Sequence, residues 1–447
     1  MAAASDGDEM MADADDGFQT DDRDAWNRLS GIALAWSLAI SVALAAHCSQ
    51  GDRRQDKRLR LQQFQGWQFL MCCIIIWHHY CNPSIFSQVA YCSVTFFVFF
   101  SGVVTQYAYA DKMSGVKAHL LAFYLRRIAR VLPMYYGIHF LVLVLSGKSL
   151  ATDFQDSVLM ICTWHGSSPA TNFPAWTVCA LVWCWLFAPL SSRLLRCMRQ
   201  RYGSSAHYPM ALWSCLMALG FCDEVWARLA GRHTRLASSW GIASCCAEPR
   251  EYRQNEYMDL DYWFYETRHN VFIFCLGMGV AELALHLPDA PHMAWFWPIC
   301  CDVTLLMTLA LTASWKHGWP TWGSSYWSGS FAPVTVWVLT STLGHQSLLN
   351  RICSHRILHN LGEYSMQIYL LANPLHDLLP VEIEPILLYA VIVTISVAVA
   401  DVAERRWSEF LKKATDKLQH GAAGPSQGLE DGILLARGAP GLLESAK

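Results

Sequence analysis

Apolar runs recur along this chain at the length a helix needs to cross a hydrocarbon core, about 20 residues. They fall at 29–47, 66–82, 85–107, 131–146, 174–190, 208–222, 270–287, 293–313, 331–348, 360–379 and 384–403, eleven in all. A chain built this way has too little polar surface to wrap itself for water. Each run is therefore predicted to be a helix, which satisfies its own backbone in lipid. Charge content agrees: 15% of the 447 residues are Asp, Glu, Lys or Arg, against about 25% in soluble domains. Disordered chains, coiled coils and most water-soluble enzymes are excluded. The expected fold class is an all-α polytopic membrane protein.

The distribution of charge tests the count, because Lys and Arg gather in short cytosolic loops. Basic clusters lie at 53–60, 112–130, 193–201, at Arg351 and Arg356, and at 405–413. Eleven spans place all five on one side, and one miscounted span would scatter them. The reading is an integral multi-pass protein of an endomembrane or the plasma membrane, with a lumenal or extracellular N-terminus and a cytosolic C-terminus. The first 25 residues hold nine acids and one base, Arg23, so the net charge of −3 conceals a basic remainder. Residues 1–28 read as an acidic disordered lumenal tail and 29–47 as an uncleaved anchor, since a signal peptide has a basic leader and a shorter apolar stretch. Residues 411–447 read as a Gly- and Pro-rich cytosolic disordered tail. There is no internal repeat of the transporter kind, no Gly-rich phosphate loop and no usable glycosylation sequon, since Asn82 is followed by Pro83.

Two stretches carry candidate chemistry. His78 and His79 close the otherwise apolar run 66–82. An imidazole there either sits in an interfacial belt with Trp77 and Tyr80, or stays neutral in low dielectric and accepts a proton from a substrate hydroxyl. Arg126, Arg127 and Arg130 precede Pro133, with Arg126 and Arg130 on one helical face. They serve either as topology anchors or as a phosphate site, because guanidinium groups bind phosphate bidentately. Asp302 and Glu282 lie inside apolar helices and either line a substrate path or pack with hydrogen-bond partners. His355 and His359 have metal-ligand spacing but no third ligand, so no metal is expected. Many of the 17 cysteines, Cys72, Cys73, Cys300 and Cys301 among them, sit in apolar runs as small hydrophobes. Cys222, Cys245 and Cys246 fall in or beside a long lumenal loop where disulfides are permitted.

The residues from 61 to 410 resemble the acyltransferase-3 family of integral membrane O-acyltransferases. The match runs through Gly66, Phe69, Leu70 and His79, then Phe97-Val-Phe-Phe-Ser-Gly102, then Arg126, Arg127, Arg130 and Pro133. It continues at Ala175-Trp-Thr-Val-Cys179, Phe274-Cys-Leu-Gly-Met278, Leu361-Gly-Glu-Tyr-Ser365 with Tyr369-Leu-Leu371, and Glu404-Arg-Arg406. The resemblance implies a ten-helix core, to which the 29–47 anchor is an addition. It implies transfer of an acyl group, often acetyl, from acyl-CoA to the hydroxyl of a carbohydrate, lipid or small-molecule acceptor. His79 would be the general base, with His78 beside it, and Arg126, Arg127 and Arg130 would grip the CoA phosphates. Gln68, Ser101, Trp176, Tyr369 and Glu363 are expected along the substrate path. Acyl-CoA, a hydroxyl-bearing acceptor and membrane lipid are the implied partners; no metal and no nucleic acid is expected.

Three departures from the family pattern stand out. Its arginine before the histidine is Gln68, its glutamate after the tryptophan is Leu181, and its histidine after Tyr-Leu-Leu is Ala372, with His376 one turn on. Gln68 still donates hydrogen bonds but holds no anion by charge. Two alternatives to an active enzyme follow: a family-shaped protein that has lost catalysis and binds lipid or a partner, and a multi-pass transporter.

Overall fold

The computed structural model describes residues 62–80, 83–113, 117–146, 158–165, 172–203, most of 205–218, 267–286, 295–313, 332–343, 346–379 and 384–422, with scattered positions between 32 and 43. The acidic tail, the 223–266 loop with Cys245 and Cys246, Cys222 and the chain after residue 422 lie outside the described residues. Among those described there is no strand. The elements are α1 (Gln62–Tyr80), α2 (Pro83–Met113), α3 (Lys117–Ser146), α4 (Trp176–Tyr202), α5 (Thr267–His286), α6 (Phe296–Ala313), α7 (Ala332–Leu343), α8 (Leu348–Cys353), α9 (Arg356–Glu363), α10 (Ser365–Leu378) and α11 (Pro385–Ala422). Short 3₁₀ turns at Cys162–His165 and Phe173–Ala175 lead into α4.

Five described helices are long and apolar enough to cross a membrane: Ser93–Ala110, Phe123–Val144, Trp176–Tyr202, His269–His286 and Pro385–Val402, with a shorter apolar piece at Phe296–Met307. Residues 66–80 of the predicted run 66–82 fall within α1, whose glutamines and terminal histidines dilute its apolar character, and 81–82 lie outside the described residues. The predicted run 360–379 is interrupted at Tyr364, which ends α9 and starts α10 while its hydroxyl donates to Asp401 Oδ1 at 2.8 Å. The last helix continues to Ala422, well past the apolar segment. Its extension, Trp407-Ser-Glu-Phe-Leu-Lys-Lys, is rich in good helix formers.

Two packed regions divide the bundle. One gathers Phe64, Trp67, Phe99, Phe100, Trp185, Phe274, Trp297 and Trp337 between α1, α2, α4, α5, α6 and α7. The other gathers Ile75, Ile76, Tyr135, Trp176, Ile368, Tyr369 and Ile392 between α1, α3, the start of α4, α10 and α11. Helices α2 and α5 meet at backbone contact: a Cβ on Gly102 would lie 2.0 Å from the carbonyl oxygen of Phe274, and one on Gly277 2.0 Å from that of Phe99. In lipid, where apolar burial drives little association, such small-residue crossings supply the packing.

Prolines inside helices leave a carbonyl four residues back without its amide donor. Pro133 lies within α3 and Pro374 within α10. At the first, the indole Nε1 of Trp407 donates to the Ala129 carbonyl. At the second, Asn172 Nδ2 donates to the Leu370 carbonyl at 3.2 Å. Helix α3 thus runs on through Pro133, and its freed acceptor is taken up by α11.

Candidate functional site

Helix α1 ends at the two histidines. His78 is half-buried and His79 exposed on the bundle surface, their rings 5.0 Å apart. Tyr80 follows as the last residue of α1, its ring 5.9 Å from that of His79. Helix α10 runs parallel to α1 in one register: Cys72 Sγ donates to the Ser365 carbonyl, and Tyr80 Oη donates to Asn373 Oδ1 at 3.1 Å, each spanning 293 positions. The same offset sets buried Ala372 level with His79. One turn further, His376 stacks on Tyr80 at 4.6 Å and 27°, with its Nδ1 3.4 Å from Asp377 Oδ1.

Beneath this end lie Trp176 and Tyr369, both buried. The Tyr369 hydroxyl and Thr177 Oγ1 share a hydrogen bond of 3.0 Å. These two predicted path residues therefore belong to the histidine end. Gln68 and Ser101 are half-buried on α1 and α2, nearer the opposite end, and Glu363 is exposed where α9 stops.

Of the three arginines, Arg127 has a described side chain. It is half-buried, donates from Nη2 to Thr105 Oγ1 at 3.1 Å, and sits against Tyr109, Phe123 and Trp185 with centroid distances of 5.3, 6.0 and 5.8 Å. Weakly hydrated and planar, guanidinium suits such an aromatic box. The side chains of Arg126 and Arg130 lie outside what is described. The ring of Phe64 is 4.9 Å from that of Phe100, which aligns the start of α1 with that turn of α2. His79 lies fifteen residues above Phe64 and Thr105 five beyond Phe100 in the other direction. At 1.5 Å per residue the two sites are about 30 Å apart along the bundle, the thickness of a hydrocarbon core.

The remaining candidates resolve into packing roles. Glu282, 1% exposed, accepts from Gln106 Nε2 at 3.0 Å and lies 3.7 Å from Arg199 Nε and 3.8 Å from His286 Nδ1. Asp302 accepts from the Leu348 and Leu349 amides at 2.9 and 3.2 Å, filling orphan donors at the start of α8. His355 caps α9, its ring accepting from the Ile357 amide. Among the described residues, no group of three or more His, Cys, Asp or Glu is arranged to hold a metal ion.

Asn373 and Asp377 join the histidine end without any signal in the sequence, and Tyr80, expected only as a belt aromatic, is the residue that links them to α1. A helical projection pairing α1 with α10 in parallel would have exposed all of them. Comparison with known proteins bears out the family resemblance. The acyltransferase-3 family model, described as an acyltransferase domain, matches residues 61–405. No curated protein and no solved structure is significantly similar to the chain. The matched segment contains both sites and every described helix from α1 to the apolar part of α11, and the chain belongs to the acyltransferase-3 family of membrane acyltransferases.

Proposed function

We propose that the protein moves an acyl group, acetyl in the simplest case, from acyl-CoA to an acceptor hydroxyl, with His79 as general base. The separation of the two sites carries this reading. A cationic aromatic box stands about 30 Å from an imidazole cluster, at opposite faces of a membrane-spanning bundle. Acyl-CoA suits such a pair of sites, because its thioester hangs on an arm remote from its phosphates, so phosphates held at the box would place the thioester inside the bundle on the way to the imidazoles. Arg127, with Arg126 and Arg130 in the same helix, would hold the phosphates at the cytosolic end. The basic clusters support that orientation. The ten-helix core and the added N-terminal anchor belong to the same reading.

The chemistry follows from the residue types. His79 accepts the hydroxyl proton as the oxygen attacks the thioester carbonyl. The tetrahedral intermediate collapses, the carbon–sulfur bond breaks, and the CoA thiolate recovers a proton from the imidazolium. A positioned base contributes about 10²–10⁴-fold. His78 would orient its neighbour. Trp176 and Tyr369 would line the acyl end of the path, and Gln68, Ser101 and Glu363 the donor end. The acceptor is a carbohydrate, lipid or small molecule bearing a hydroxyl.

The test uses the purified full-length protein and labelled acetyl-CoA, following thioester loss in wild type and His79→Ala. Turnover should fall at least about 100-fold. Equal turnover in both would overturn the base assignment, and a wild type that consumes no acyl-CoA would overturn the donor.

A further inference from the structure

We infer that Tyr80, held by Asn373 and His376 of α10, is a clamp that fixes the end of α1 and so positions His79. This inference rests on the role proposed for His79 above. His79 is the penultimate residue of α1, in the turn whose carbonyls have no intrahelical amide partner. Helix ends fray, and a base on a fraying turn samples many geometries, only few of them reactive.

Tyr80 removes that freedom through two contacts from one neighbouring helix. Its hydroxyl donates to Asn373 Oδ1 at 3.1 Å, and its ring lies on the His376 ring at 4.6 Å. Asn373 and His376 are three apart in α10, so they present to one side and grip one ring together. Asp377, 3.4 Å from His376 Nδ1, limits rotation of the imidazole.

The register explains why this position is used. Cys72 to Ser365 and Tyr80 to Asn373 share the offset of 293 positions, which leaves Ala372, 1% exposed, level with His79. An alanine leaves no second imidazole at that level. The next position on the same face of α10 is 376, where the histidine meets Tyr80 instead. His376 is thus a positioning residue that acts through Tyr80, by its ring rather than by its proton.

The experiment pairs two readouts on the full-length protein in nanodiscs: acetyl-CoA turnover, and amide hydrogen exchange of peptides covering residues 74–80. His376→Ala should lower kcat about tenfold with the KM for acetyl-CoA unchanged, and should raise exchange at the end of α1. His376→Phe keeps a ring on Tyr80 and should recover at least half of the wild-type kcat. Tyr80→Phe, which loses only the bond to Asn373, should fall between. Unchanged exchange in His376→Ala overturns the clamp. So does a His376→Phe variant as slow as His376→Ala, since the proton would then matter. Turnover that survives His79→Ala overturns the base assignment instead, and the exchange data still decide the clamp.

Discussion

Gly102→Ala tests whether the family signature Phe97-Val-Phe-Phe-Ser-Gly102 is a packing element. The added methyl carbon would sit 2.0 Å from the Phe274 carbonyl oxygen, 2.9 Å from its carbon and 3.2 Å from the Met278 nitrogen. All three obstacles are backbone atoms of α5, so no rotamer can step aside. Restoring an ordinary contact needs the helices to part by more than about 1 Å, and a gap of 0.5–1 Å already forfeits a quarter to a half of each van der Waals contact. The cost belongs at the upper end of the overpacking range, about 3 kcal/mol. Gly277→Ala meets the Phe99 carbonyl in the same way. Because one separation relieves both clashes, the double variant should cost clearly less than the two singles combined. Gly137 in α3 is the control, with nothing within 4 Å of its added Cβ. Gly137→Ala should be neutral or stabilising by about 0.5–1 kcal/mol. Equilibrium unfolding in mixed detergent micelles, followed by tryptophan fluorescence, orders the four variants. A Gly102→Ala protein as stable as wild type, or strictly additive losses, would refute the reasoning.

Two further outcomes follow from the arginine box and from the proline in α3. Arg127→Ala should weaken CoA binding about tenfold or more, the worth of one charge-assisted hydrogen bond, while the protein still inserts; unchanged affinity by titration calorimetry would make the arginine a packing and topology residue. Trp407→Phe should cost about 1 kcal/mol by stranding the Ala129 carbonyl, and that cost should vanish in a Pro133→Ala background, where residue 133 regains its amide. A double-mutant cycle with no coupling would separate the two residues.

The all-helical membrane class was legible because a bilayer imposes one length on every crossing. That rule operates on local composition, so 131–146 and 174–190 stood out without any knowledge of neighbours. Side-chain partnership is non-local and left no such mark. Asp302 looked the same in sequence whether it faced a substrate or the amides of Leu348 and Leu349, 46 and 47 positions away. Glu282 was equally ambiguous until Gln106, Arg199 and His286 were seen around it. At the histidine end, motif order marked His79 as a candidate. Tyr80 and Asn373 gained meaning only from the parallel register of α1 and α10. The break at Tyr364 escaped notice because an apolar run says nothing about where its backbone bonds stop.

The pairing of Pro133 with Trp407 also orders assembly in time. The Ala129 carbonyl lies 278 positions ahead of the indole that satisfies it. At about 5–20 residues per second of synthesis, that acceptor waits tens of seconds for its donor. Until then water or a lipid headgroup can stand in, and α3 goes without a bond worth about 1 kcal/mol until α11 exists. The carboxy-terminal helix therefore completes α3 last: ribosomes stalled upstream of Trp407 should leave α3 inserted with the Ala129 carbonyl still without its indole donor.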